Sequence, residues 1–326
     1  MRWQDRQRSR NVKDLRGSNP FGNGYRGTAN QRRMRIPVPV PGTSRNRRVK
    51  RGGFSLGSIL IMLVIFFLFG GGSLLGQITN SGTSQSPTSG QQAPNQSQVQ
   101  LPATRPSQSS QEDELYDFVS VILYDTEQVW QRIFSANGRT YQEPELVVFS
   151  DAVNSGCGYA NAQVGPFYCP ADQTVYIDLD FYNDLVNKYG GGGDFAMAYV
   201  IAHEVGHHVQ QQLGVTDQVR QLQSRMNQTQ ANQMTVRMEL QADYLAGVWA
   251  HSAEQDGWLE AGDIEEGLNA AYHIGDDVLQ EKAYGRVMPD SFTHGTAEQR
   301  QKWFLKGYQT GDLSGWDTFS QDYEDL

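Results

Sequence analysis

Phe195-Ala196-Met197-Ala198-Tyr199-Val200-Ile201-Ala202-His203-Glu204-Val205-Gly206-His207 is the stretch on which the reading of this chain turns. Asp194 before it can cap a helix and Gly214 after Leu213 can end one, so a helix is expected from Phe195 to Leu213. Its apolar approach is that of a helix buried in a core, since a solvated helix would interleave polar residues. His203 and His207 are four apart, so they lie on one face, one turn above the other. Two imidazoles so placed can grip one metal ion, and Glu204 stands beside them, close enough to act on a water at the ion without being a ligand.

A third ligand is needed, with the fourth position left to water. The elongated motif that ends in a third histidine requires Gly at position 210 and His at 213, and Gln210 and Leu213 exclude it. A later apolar helix, near 229–253, contains Glu239-Leu240-Gln241-Ala242-Asp243. Glu239 and Asp243 share a face of it. Glu239 can complete a His₂Glu zinc site, and Asp243 can take the free ring N–H of His203. Standing alone, such a pair is common and reads first as a solvated acidic face; the histidines upstream are what tie it to a metal.

Around these helices, 112–134 has helical spacing, 146–149 and 174–179 read as strands, and 156–168 reads as a loop or hairpin. Further helices are expected near 261–282 and 296–309. A few strands followed by helices point to an α+β domain over 111–326, mostly helical with a small sheet.

The rest of the chain has a different composition. Residues 1–51 hold 15 Lys and Arg against 2 Asp and Glu, net +13, whereas the remainder holds 12 against 34, net −22. The arm reads as disordered and basic. Residues 52–76 carry no charge and centre on the apolar run 59–69; the whole uncharged stretch is long enough for a transmembrane helix, and both its length and the long basic arm before it argue against a signal peptide. Positive charge before the span and none after it until Arg105 predicts a single-pass bacterial membrane protein, N-terminus cytoplasmic and catalytic domain outside. Residues 77–110, rich in Ser, Gln, Gly, Thr and Pro, read as a flexible linker. The two cysteines, Cys157 and Cys169, read as a disulfide in an exported domain, against the alternative of two buried thiols. Such a bridge would contribute about 3 kcal/mol.

His-Glu-x-x-His followed by Glu-x-x-Ala-Asp resembles the gluzincin peptidases, HtpX-like membrane peptidases among them. The wider chain resembles the YpfJ-like neutral zinc metallopeptidases of bacteria. The likeness is carried by Met1-Arg2-Trp3, Asn11-Val12-Lys13-Asp14, the apolar segment after the basic arm, Gly165-Pro166-Phe167-Tyr168-Cys169-Pro170-Ala171-Asp172, His203 to His208, and Ser291-Phe292-Thr293-His294-Gly295-Thr296-Ala297-Glu298-Gln299-Arg300. It runs over nearly the whole chain except the linker. The resemblance implies a zincin-like fold, a Zn²⁺ cofactor and an endopeptidase acting on extracytoplasmic or membrane-adjacent proteins, with Glu204 as general base. Thr293-His294 and Arg300 are similar to the Thr-His-Pro…Arg segment of HtpX-like peptidases, which implies that His294 donates to the developing oxyanion; Gly295 replaces the proline here. Tyr199 and Tyr244 are alternatives for that role. By the same analogy the strand at 174–179 is an edge that holds substrate by backbone pairing.

His208, about 100° round the helix from His207, is expected to make a polar contact rather than bind the metal. His251 and His273 lack ligand spacing, and Asp276-Asp277 is expected to cap or face a helix. A non-catalytic protein-binding or chaperone-like module on a peptidase fold is the alternative function. A protein or peptide substrate and a membrane are the expected partners, and no nucleic acid is.

Overall fold

The computed structural model of the chain describes residues 1–18 and 107–326. In chain order the elements are β1 (Val12–Asp14), α1 (Ser107–Ala136), β2 (Glu145–Phe149), β3 (Ala152–Ser155), β4 (Gly158–Asn161), β5 (Phe167–Cys169), β6 (Thr174–Asp178), α2 (Asp180–Asp184), α3 (Asp194–Gln212), α4 (Val215–Gln223), α5 (Gln228–Gln255), α6 (Asp263–His273), α7 (Asp276–Tyr284) and α8 (Ala297–Thr310). The expected α+β class, mostly helical with a small sheet, is what they form.

α3 is the axis. Residues 195 to 206 are all buried, as their apolar run requires. α5 starts at a capping box, in which Asn227 and Gln230 satisfy each other's backbone N–H groups. It packs beside α3 where Gly206 lacks a side chain: a Cβ there would lie 3.1 Å from the Ala242 carbonyl oxygen. That close approach brings Glu239 and Asp243 level with the two histidines. On its other side α5 meets α8 at Gly307, where a Cβ would overlap the Tyr244 carbonyl oxygen.

The main sheet has the order β1-β2-β6-β5. β1, β2 and β6 run parallel, and β5 pairs antiparallel with β6, Phe167 opposite Tyr176 and Cys169 opposite Thr174. β3 and β4 form a separate hairpin. The expected edge strand is therefore corrected: β6 is interior, fully buried along its length, and among the described residues β5 is the edge. Local alternation reports a strand but not its place in the sheet.

Other expectations are corrected as well. The helix expected over 261–282 is two, α6 and α7, broken at Ile274-Gly275; a Cβ on Gly275 would overlap the Ala297 backbone, so tertiary approach sets the break. Asp194 does not cap α3. Gly193 holds that position, and Asp194 receives the Met1 ammonium at 2.9 Å. Residues 107–110, expected in the linker, open α1. Residues 1–18, expected in a disordered arm, join the core: Met1 and Trp3 are buried, and Trp3 meets Phe118 edge-on at 5.3 Å between ring centroids.

The expected location in a cell membrane is corrected too. Among the described residues no helix is long and apolar enough to cross a membrane. The span expected over 52–76 lies outside the described residues. The expected topology also conflicts with β1, because a single crossing between β1 and β2 would put two hydrogen-bonded strands on opposite sides of a bilayer.

Candidate metal centre

His203 and His207 on α3 and Glu239 on α5 place their donor atoms within 4.8 Å of one another. Glu239 Oε2 lies 3.1 Å from His203 Nε2 and 3.4 Å from His207 Nε2. Ligands about 2.0–2.1 Å from a tetrahedral zinc ion stand about 3.3 Å from each other, so the spacing fits.

The ring partners decide what those nitrogens carry. His203 Nδ1 lies 2.7 Å from Asp243 Oδ1, a carboxylate that can only accept, so Nδ1 carries a proton and Nε2 is the nitrogen left to face Glu239 or an ion. His207 Nδ1 lies 2.9 Å from Gln210 Oε1. The Gln210 amide nitrogen is spent on the Met238 carbonyl at 2.7 Å and Gln241 Oε1 at 3.0 Å, so its oxygen accepts from His207. Both rings thus aim Nε2 at a carboxylate, where either ring protons or a metal ion must supply the positive charge. Three electron-rich atoms converging in a buried site require a positive charge between them.

The titration shifts express the same demand. Burial pulls both imidazoles down, yet Asp243 pushes His203 up to about 10 and Glu239 raises His207. Burial would lift Glu239, but the two histidines hold it well below the usual carboxylate range. Burial would lift Asp243 likewise; Arg300 and His203 outweigh it and hold it at about 2.

Asp243 is the hub behind the rings. It accepts from Tyr199 Oη at 2.6 Å, from Arg300 Nε at 2.9 Å on one oxygen, and from a terminal Arg300 nitrogen at 2.9 Å on the other. Arg300, on α8, is almost wholly buried, and its role is not visible in spacing; the only sequence signal was its place in the segment with His294.

Glu204 lies in the same cavity but outside the three-donor group. Burial raises its carboxyl, while the neighbouring imidazoles and the Tyr168 backbone N–H pull the other way. His294 also lines this cavity. Its loop is pinned by Asp276, whose buried carboxylate accepts the backbone N–H groups of Thr293 at 2.7 Å, His294 at 2.6 Å and Gly295 at 3.1 Å. Asp276 opens α7, so the helix break is what aims the loop. Burial lowers His294, but Asp276 and then Glu239 raise it more.

The remaining histidines are engaged elsewhere. His208 contacts Tyr168 Oη at 2.9 Å and the Gln142 carbonyl at 2.7 Å, and His251 faces the Tyr308 carbonyl. His273 lies against Gly190. Asp277 accepts from Ala297 N at 2.8 Å. The Tyr199 hydroxyl is committed to Asp243, and that of Tyr244 donates to the Asp312 carbonyl outside the cavity. Cys157 and Cys169 are bonded, S–S 2.08 Å. Among the described residues a second acidic cluster, Asp194, Asp263 and Glu266, brings its carboxylate oxygens within 4.8 Å of one another, but the Met1 ammonium lies against Asp194 and Asp263.

The sequence model of the family described as "Putative neutral zinc metallopeptidase" matches residues 1–319. "Uncharacterized protein YpfJ" of Escherichia coli is 46% identical over 321 residues, 98% of this chain and 99% of that protein. A Mycobacterium tuberculosis protein is 49% identical over 191 residues, 55% of this chain and 64% of that protein. Neither relative's name carries an activity. No solved structure matches the chain.

Proposed function

This chain belongs to the neutral zinc metallopeptidase family, and from that premise we propose that it is a zinc-dependent endopeptidase with His203, His207 and Glu239 as metal ligands. The observation that carries this is the convergence of two Nε2 atoms and one carboxylate, with the outer ring nitrogens fixed as donors. When bound, zinc supplies Lewis-acid polarisation of a peptide carbonyl and brings the pKa of a water towards about 7.

The chain's own groups do the rest. Glu204, the carboxylate beside the three donors, takes the proton of the attacking water and returns it to the leaving amine. Asp243 keeps the His203 ring in the orientation and tautomer the metal needs, and Arg300 holds Asp243 ionised. His294, raised and so able to donate, hydrogen-bonds to the oxygen on which negative charge develops. An extended peptide adds to the β5 edge, whose Phe167 and Tyr168 line the cavity. A protein or peptide chain is accordingly the partner.

The full-length chain should carry about one zinc and cleave an unfolded protein. Glu204→Gln should keep the metal and lose turnover by about 10²- to 10⁴-fold. Glu239→Ala should lose the metal. Undiminished zinc in Glu239→Ala, or full turnover in Glu204→Gln, would overturn the assignment. A zinc-loaded chain that binds unfolded protein and never cuts it would favour the binding-module reading.

A further inference from the structure

We propose that the cavity over the metal centre selects internal peptide bonds flanked by a bulky apolar side chain and turns charged side chains away; this rests on the peptidase reading above. The cavity measures about 290 Å³. That is near the low end for ligand pockets, which span about 300–1,000 Å³, so it admits a short piece of peptide.

Its apolar wall comes from separate elements. Val164 and Phe167 approach from the loop and strand before β6, Phe181 from α2, Val200 from α3, Ile274 from the α6–α7 break and Leu279 from α7. Val200 stands one turn before His203 and Glu204 on the same helix, so the wall begins beside the reacting groups. A side chain lodged there sits next to the bond being cut.

Most charged groups of the cavity are already committed to one another. Arg300 gives its N–H groups to Asp243, the Tyr199 hydroxyl and the Ile274 carbonyl. Asp276 spends its carboxylate on three backbone N–H groups and stands 3.5 Å from His294 Nδ1. His203, His207 and Glu239 face one another, with Glu204 beside them. In the peptidase reading His294 serves the developing oxyanion and Glu204 the proton of the attacking water, and among the described residues no further cation or anion lines the cavity to hold a peptide's terminal carboxylate or ammonium. Recognition of a chain end, the mark of an exopeptidase, has nothing to work with. A charged side chain in the apolar part would be desolvated without a partner.

The test is to digest a peptide mixture with the zinc-loaded full chain and read both residues at each cut by mass spectrometry. Leu, Ile, Phe or Met should occupy one flanking position in most cuts. On matched peptides kcat/KM should exceed that for Asp or Lys at that position by about tenfold to a hundredfold. Blocking both peptide termini should leave the rate unchanged. Leu279→Ala should move the preference towards larger side chains, and Leu279→Phe towards smaller ones. Cuts indifferent to the flanking residues, or a requirement for a free terminus, would overturn the inference and leave the peptidase standing. No cuts at all by the zinc-loaded chain would bring down the peptidase reading, and this inference with it.

Discussion

Gln210 never reaches the metal-ligand atoms, yet it sets which His207 nitrogen carries the proton. Removing its amide leaves His207 free to put that proton on Nε2, the atom that faces Glu239 at 3.4 Å. Gln210→Ala should therefore weaken zinc binding by about 10- to 100-fold, measured by competition with a chelator; unchanged affinity would show that the tautomer is held by something else. A second buried group works on the whole fold through pH. Burial lifts the Asp125 carboxyl to about 7, although the Trp249 indole N–H, 2.7 Å away, pulls it down. In the unfolded chain an aspartate ionises near about 3.9. Between those values the folded state keeps a proton that the unfolded state has lost. Stability from this group is therefore whole below about pH 4, falls as pH rises to about 7, and is flat above that. Asp125→Asn keeps an acceptor for the indole and has no charge to bury. Its advantage over the parent chain in urea unfolding should be about 2–4 kcal/mol at pH 8 and nearly nil at pH 4. An advantage independent of pH would refute the account.

β5 is three residues long and would be a weak element alone, but it is tied down at successive positions. Cys169 is bonded to Cys157 at the turn of the β3–β4 hairpin, and Tyr168 reaches His208 on α3. His208 Nε2 lies 2.7 Å from both the Gln142 carbonyl and the Gln212 amide nitrogen, and Nδ1 faces the Tyr168 hydroxyl, so the ring ties β5 to α3 and to the segment before β2. Burial keeps this imidazole neutral by lowering its pKa. If β5 holds the substrate backbone, Tyr168→Phe should raise KM for a peptide by about three- to tenfold with zinc content intact. His208→Leu should do the same, and the double variant should cost no more than either alone. Additive losses would separate the two residues. The contrast with α3 shows what a sequence displays. His203, His207, Glu239 and Asp243 were legible because a helix repeats every 3.6 residues, and spacing alone then states which side chains share a face. The edge position of β5, the break at Ile274-Gly275 and the grip of Arg300 on Asp243 depend on what lies across the fold. No local pattern carries that information. β1 was missed for the same reason: three residues whose partner strand lies far along the chain leave no periodic trace.

At the scale of the molecule, the described fold is built from two distant pieces of chain. Residues 1–18 contribute a strand to the sheet, and Met1 and Trp3 to the core. Arg2 N–H donates to the Trp258 carbonyl at 2.8 Å, and the Arg6 guanidinium lies 4.4 Å from the Trp258 ring centroid. Ser9 and Asn11 bind the buried Glu127 carboxylate at 2.6 and 2.9 Å. The Met1 ammonium meets Asp194 at the first residue of α3, the helix that carries His203 and His207. Without this segment β2 becomes an open edge, Phe118 loses its aromatic partner, and Glu127 is left buried without its two donors. A chain of residues 107–326 alone should therefore unfold at lower urea than the full chain. Burying Met1 and Trp3 alone implies a loss of at least about 3 kcal/mol. Adding a synthetic peptide of residues 1–18 should restore the midpoint in proportion to its concentration, as a ligand of the folded state does. Zinc affinity should recover in step, since the contacts at Asp194 lie at the root of the ligand helix. A truncated chain with an unchanged midpoint would mean that the sheet needs no third parallel strand.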